Sequence, residues 1–336
     1  MAPADEPTTR RRAMRAAALV LGVVAGAAIG IAAMPYLFKR VPSELGRIAV
    51  LLTALESAPA TELLVFGNSV AMAGVDAGKL RSELGIGTRI INVSFPAQTL
   101  AESFLFYQEI PRATRTLVYV LSPTQLESDM VFNTSVPSAF RLSGFEPKAE
   151  TVEMLEAAFP PAALRELRAG GARMRFEGRW IVRHLIDAGL RQFVRRDLDL
   201  ERAASDLEFP SPYRERIPDW KFELNLRSIL SSRAPGPLRQ SPGNARLLEE
   251  MVARAGRDGR RLLLVLAPMH PRFRAEWGDT FLSSVRSDFR ELESQGAQIV
   301  DALELLGDEE FLDPVHPSRA GADRLTRLIV EAIRPD

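Results

Sequence analysis

Short unbroken apolar runs alternate along this chain with stretches in which apolar residues recur every three or four positions. Leu63 to Phe66, Arg89 to Val93, Thr116 to Leu121, Arg261 to Ala267 and Gln298 to Val300 read as strands. Between them, Asp76 is placed to cap a helix that turns Leu80 and Leu84 inward and stops at Gly85. Leu100 to Ile110, Ala245 to Ala255 and Phe281 to Ser294 also carry a helical pattern. So does Arg319 to Ile333, with Ala322, Leu325, Ile329 and Ala332 on one face. Bare apolar strands alternating with helices predict an α/β fold whose parallel sheet is covered on both sides. In such sheets, active residues collect beyond the carboxyl ends of the strands.

Two stretches depart from this rhythm. Arg10, Arg11, Arg12 and Arg15 precede an uncharged run, Ala16 to Met34, which leads through Pro35-Tyr36-Leu37-Phe38 to Lys39-Arg40. As a helix, Ala16 to Met34 would be about 28 Å long, close to the thickness of a bilayer core. Residues 1–15 are therefore expected in the cytoplasm, 16–38 as a transmembrane anchor, and all that follows outside, the excess of arginine setting the orientation. The rival reading is a cleaved signal peptide, with Gly30-Ile31-Ala32 as a small-x-small site, although the run exceeds the usual apolar core of a signal peptide. Residues 39–60 follow as a stalk, helical from Ser43 to Glu56, with Leu45, Ile48, Leu52 and Leu55 packed on a domain spanning 61–334. The second stretch, about 125–242, lies between the third and fourth strands and is rich in Pro, Arg and aromatics. Its helical pieces include Ala162 to Arg168 and Trp180 to Phe193, and its length suits an inserted cap better than a loop.

Composition removes several classes of chemistry. The 336 residues have a formal net charge of zero, so no basic surface announces nucleic acid. Lysine occurs only at 39, 79, 148 and 221, and the bias to Arg and Ala suggests a GC-rich bacterial genome. Without cysteine there are no disulfides, thiolate nucleophiles or cysteine-based metal sites, and three scattered histidines are too few to propose a metal centre. No cofactor is implied.

The remaining polar signals fall at strand exits. Leu63-Leu64-Val65-Phe66 runs into Gly67-Asn68-Ser69, and Asp313-Pro314-Val315-His316-Pro317 precedes the last helix. Turns use serine and glycine for backbone reasons, and an Asp three residues before a His is compatible with a capped surface loop. Their joint occurrence on one parallel sheet points instead to a nucleophilic triad. Ser69 would attack, His316 would act as the base, and Asp313 would fix the imidazole. The Ser69 backbone N–H is the first candidate for stabilising the oxyanion. His270, with Arg272 and Arg274 after the fourth strand, reads either as a substrate-binding group or as a solvated loop. His184, on a helical stretch, reads as structural.

These blocks resemble the SGNH or GDSL hydrolases, a flavodoxin-like α/β family of esterases, lipases and acyltransferases. Gly67-Asn68-Ser69 is similar to the opening Gly-Asp-Ser block, with Asn for Asp, and Asp313 to His316 matches the closing Asp-x-x-His block. The resemblance covers 61–124 and about 243–334. It implies a three-layer fold, a Ser69–His316–Asp313 site, and a second oxyanion donor in Asn92 to Ala97, where Ala97 stands in place of the family's glycine. The third block's asparagine has no clear counterpart, Gln125 and Asn133 being the residues open to that role. Asn68, His270 and Arg272 are the candidate substrate contacts.

With the anchor, the pattern is similar to the membrane-tethered branch that includes alginate O-acetylation and teichoic-acid D-alanylation proteins. Val265 to Pro271 resembles a strand-end segment of that group. The resemblance implies an extracytoplasmic esterase or O-acyltransferase for an acylated envelope glycan, with a multi-pass membrane-bound O-acyltransferase as partner. A non-catalytic glycan-binding or assembly protein is the alternative, and a lipid esterase or thioesterase with the insertion as a lid is the third reading.

Overall fold

The computed structural model describes residues 45–133, 136–168 and 199–334, with isolated helical positions at 21, 22, 25, 26 and 29. The expected anchor at 16–38 otherwise lies outside the described residues, as do His184 and the stretch Trp180 to Phe193. Among the described residues, no helix is long and apolar enough to cross a membrane.

The chain order is α1 (Gly46–Ser57), β1 (Leu63–Gly67), α2 (Ser69–Gly74), α3 (Ala77–Leu84), β2 (Ile91–Asn92), α4 (Leu100–Tyr107) and β3 (Thr116–Leu121). Next come α5 (Pro123–Glu127), α6 (Val136–Leu142), α7 (Ala149–Ala158), α8 (Arg165–Arg168), α9 (Leu200–Ser205), α10 (Asp219–Ser231) and α11 (Pro242–Arg257). The chain closes with β4 (Arg261–Leu266), α12 (Pro271–Ser294), β5 (Gln298–Asp301), a 3₁₀ turn (Asp308–Glu310) and α13 (Arg319–Ile333). All five strands pair in parallel in the order β2-β1-β3-β4-β5. This is a doubly wound order, and its topological switch lies between the carboxyl ends of β1 and β3.

The period of two along the strands separates the two cores. Leu64, Phe66, Tyr119, Leu264 and Leu266 face a large, aromatic-rich layer built with α1, α4, α11 and α12. Leu63, Val65, Val118, Val120, Leu263 and Val265 face a smaller layer built with α2, α3 and α13. The predicted α/β class with a covered parallel sheet is what the chain forms. Several boundaries move. β2 ladders over only two residues rather than Arg89 to Val93, being an edge strand, and α12 begins at Pro271, ten residues earlier than its periodicity suggested. Gly278 breaks that helix with φ 73°, which splits the apolar pattern.

The described part of the insertion is not a separate cap. Phe140, Leu155, Phe159, Phe222 and Leu226 belong to the same core as the sheet. Residues 206–217 then run as a strap past the carboxyl edge. The Asn92 N–H donates to the Leu207 carbonyl at 2.8 Å, covering the outer side of β2, and the Ala77 N–H donates to Glu208 at 2.9 Å. Further on, Arg319 lies over the Phe209 ring and the Ile217 N–H donates to the Leu312 carbonyl at 3.0 Å.

Helix α1 packs on the domain as expected, with Leu45, Ile48 and Leu55 buried; Leu51 joins them, and Leu52 is only partly covered. On the same face Arg47 is fully buried. Its guanidinium donates to four carbonyls: Ser94 at 2.7 Å, Asn92 at 2.6 Å, Ala203 at 2.8 Å and Asp206 at 2.7 Å. Burial lowers its pKa to about 9, with the Asp206 charge pulling the other way, so the side chain stays charged at neutral pH. A planar fork of five N–H groups suits this cluster of acceptors, which a lysine ammonium with three does not. Arg47→Ala leaves those carbonyls without their donor and should cost roughly 3–5 kcal/mol. Arg47→Lys should recover less than half of the loss. Urea unfolding of the full-length chain measures both, and an Ala variant as stable as wild type would remove this residue from the account.

Candidate active site

Strand β1 ends at Gly67, whose φ is +147° and whose backbone passes so close to β3 that a Cβ there would lie 2.6 Å from the Val120 carbonyl. Only glycine fits, and the approach turns the chain sharply into α2. Asn68 caps that helix by accepting the Val70 N–H at 2.9 Å, and Ser69 is its first residue. Asn68 is thus a capping residue, placed beside the serine. The Ser69 N–H precedes the helical ladder and remains the first candidate oxyanion donor.

Near the other end of the chain, the loop before α13 folds on Asp313. One carboxylate oxygen accepts the backbone N–H groups of Val315 and His316, each at 2.9 Å. The imidazole Nδ1 of His316 lies 2.9 and 2.8 Å from the two oxygens. Burial pushes the Asp313 carboxyl up, but the hydrogen bonds and charge of His316 and the two backbone donors outweigh it, leaving the group below its ordinary value. An ionised carboxylate only accepts, so in the neutral imidazole Nδ1 carries the proton and Nε2 presents its lone pair. That nitrogen is 2.8 Å from the Ser69 hydroxyl oxygen. The three residues predicted as a triad are therefore joined in one chain of hydrogen bonds, with His316 and Asp313 both largely shielded from solvent.

A fourth residue joins them. The Tyr213 hydroxyl lies 2.9 Å from the same Nε2, and its ring stacks on the imidazole with centroids 4.0 Å apart at 27°. Sequence reasoning missed Tyr213. Pro210-Ser211-Pro212 predicts a stiff extended segment there, but nothing local says where it docks.

Ala97 follows β2, the strand beside β1. It occupies the third position of a turn, Phe95-Pro96-Ala97-Gln98, closed by the Gln98 N–H donating to the Phe95 carbonyl. Pro at the second position and positive φ at the third mark a type II turn, a place that favours glycine, and Ala97 holds φ 54°. The turn is braced from several sides. Gln125 Nε2 donates to the Gln98 carbonyl at 2.6 Å, and Asn133 Nδ2 donates to the Ala97 carbonyl at 2.6 Å and to Glu102 at 3.0 Å. Those two amides, expected as candidates for the third oxyanion donor, instead hold the turn. Asn92 ties it to the serine helix, donating through Nδ2 to the Ala71 and Val75 carbonyls at 3.2 Å and accepting the Ser94 N–H.

Beneath the turn Glu102 is fully buried, and burial raises its pKa to about 7 even though Thr99 and Asn133 donate to it. Thr99 and Glu102 form a reciprocal capping box on α4.

His270 does not line the site, which corrects the expectation of a substrate contact. It is buried among Phe222, Phe273 and Phe311. Its Nδ1 accepts the Arg272 N–H, capping α12, so the proton sits on Nε2, which donates to Asp308 at 2.6 Å. Burial holds this imidazole below its ordinary pKa against the pull of Asp308. Arg272 is half exposed and pairs with Glu223 on α10. Arg216, also on Asp308, continues this link between the strap and the 3₁₀ turn.

No model of a protein family and no curated protein matches this chain.

Two outcomes follow from the turn. Ala97→Gly should raise stability by about 0.5–1 kcal/mol, since relief of positive φ exceeds the added entropy of the unfolded chain; chemical denaturation reads the change. Glu102 makes stability depend on pH. With a folded pKa near 7 and an unfolded one near 4.3, the folded state binds the extra proton, so this group's contribution falls as pH rises from about 4 to 7 and stays low above. Glu102→Gln should remove that fall, seen as a flatter melting-temperature profile between pH 4.5 and 8.

Proposed function

We propose that this protein is a serine esterase or O-acyltransferase of the SGNH type. In this reading it is tethered to the bacterial inner membrane by residues 16–38, its domain is extracytoplasmic, and its substrate is an acylated envelope polysaccharide. The observation that carries the chemistry is the unbroken link from Ser69 through His316 to Asp313. His316 takes the serine proton as Ser69 attacks the ester carbonyl, and Asp313 supports the imidazolium that forms. The same proton then passes to the leaving alcohol, giving an acyl group on Ser69. Water or a second alcohol, deprotonated by His316, completes the cycle. Developing charge on the carbonyl oxygen falls to the Ser69 N–H and, in this reading, to the N–H of the Ala97 turn. The glycan and a multi-pass acyltransferase partner rest on resemblance alone.

One observation favours a second reading, a non-catalytic glycan-binding or assembly protein. The side-chain amides of Gln125 and Asn133 are engaged by backbone carbonyls of the turn, leaving the oxyanion site without an assigned side-chain donor. Aryl acetate hydrolysis separates the two. Ser69→Ala should lower the rate by roughly 10⁴-fold or more and abolish labelling by a serine-directed phosphonate. Equal rates and equal labelling in the two proteins would falsify the catalytic reading.

A further inference from the structure

Two hydroxyl groups address one lone pair in this site. Ser69 Oγ is 2.8 Å and the Tyr213 oxygen 2.9 Å from His316 Nε2. In the second half of an acyl-transfer cycle the serine oxygen is esterified, and the acceptor must come within hydrogen-bond distance of Nε2 to give up its proton. A phenol already stands at that distance, and its stack on the imidazole orients it.

The strap holds that phenol in place. Glu208 is bonded to Ala77 on one side of Tyr213, and Ile217 to Leu312 on the other. The Pro212 carbonyl accepts the Asp199 N–H at 2.7 Å, and Arg214 pairs with Asp199. Held groups of this kind act at effective molarities far above the roughly 55 M of water, up to about 10⁵ M or more when well oriented. Water brings no binding energy of its own to displace the phenol. A larger alcohol that contacts the strap does, because its remote contacts contribute free energy to the rearrangement.

We propose that Tyr213 biases the acyl-enzyme toward transfer to a bulky alcohol, such as a sugar hydroxyl, and against hydrolysis, by holding its hydroxyl where the deacylating water would bind. The inference rests on the Ser69 acyl-enzyme of the preceding section and selects transferase over esterase. In the transfer step the acceptor hydroxyl gives its proton to Nε2 and its oxygen bonds to the acyl carbon. The bond from that carbon to Ser69 Oγ breaks, and Oγ recovers the proton from Nε2. Nothing else is consumed.

The test is the partition of a single intermediate. The full-length chain is acetylated with p-nitrophenyl acetate in the presence of methyl glucoside, and the ratio of acetyl-glucoside to free acetate is measured. Once the uncatalysed hydrolysis measured without protein is subtracted, that ratio does not depend on the rate of acylation or on the fraction of protein that is folded. Tyr213→Ala should shift it toward acetate by about tenfold or more. Tyr213→Phe, which keeps the stacked ring, should shift it in the same direction by less. An unchanged ratio in both variants would overturn the proposal, even if turnover rose. So would acetyl found on Tyr213 by mass spectrometry, which would make the phenol a carrier rather than a guard. If wild type shows neither a p-nitrophenol burst nor phosphonate labelling at Ser69, the serine-enzyme reading itself fails. Labelling with an unchanged ratio sinks only the role of Tyr213.

Discussion

The Arg47 guanidinium decides how the functional edge of this protein is assembled. Its four acceptors come from three places: the end of β2, the loop beyond it, and the stretch where the insertion returns to the sheet. No single neutral side chain, with at most two N–H donors, would satisfy all four carbonyls. From one side of this tie the chain runs through Ser94 to the Phe95–Gln98 turn, and from the other through Asp206 to the strap that carries Tyr213. A charge on the first described helix thus sets the relation between two loops that both reach the carboxyl edge of the sheet.

The site built on that edge combines fixed and adjustable parts. Ser69 is placed by backbone geometry, because Gly67 passes against β3 where no side chain fits, and by the side chain of Asn68, which caps its helix. His316 is placed by a carboxylate that also holds two backbone N–H groups of its own loop, so imidazole and carboxylate move as a unit. Tyr213 is different in kind. It comes from the strap, so its contact with His316 is set by ties of that segment to α3, to Asp199 and to the loop before α13.

What was legible in the sequence follows from how local each determinant is. The apolar runs announced β1, β3 and β4, since strands buried on both faces leave no polar position to blur the signal. Asp313 and His316 were readable because three residues of loop suffice to bring them together. Ser69 was readable from its strand exit. The site's supports were not. Arg47 looked like one basic residue among many, as its acceptors lie 45 to 159 positions away. His270 looked available because its partner, Asp308, is 38 residues downstream and its aromatic cage is assembled from three separate elements. Ala97 stands where the resemblance implies glycine, and the turn that holds it at positive φ is braced by Asn133 and Gln125 from distant segments.

The span between Ser69 and His316 has a kinetic meaning. They are 247 residues apart, and the contacts flanking them, Arg319 to Asp76 and Thr326 to the Asp76 N–H, are as distant in sequence. Closing such loops is slow relative to forming local helices, and here it joins the first βα unit to the last helix. A chain synthesised from its N-terminus can complete the β1 to β3 portion of the sheet while Ser69 still lacks its histidine partner. Ser69 meets His316 only when the loop before α13 docks, so their hydrogen bond is a late contact that joins the first βα unit to the last.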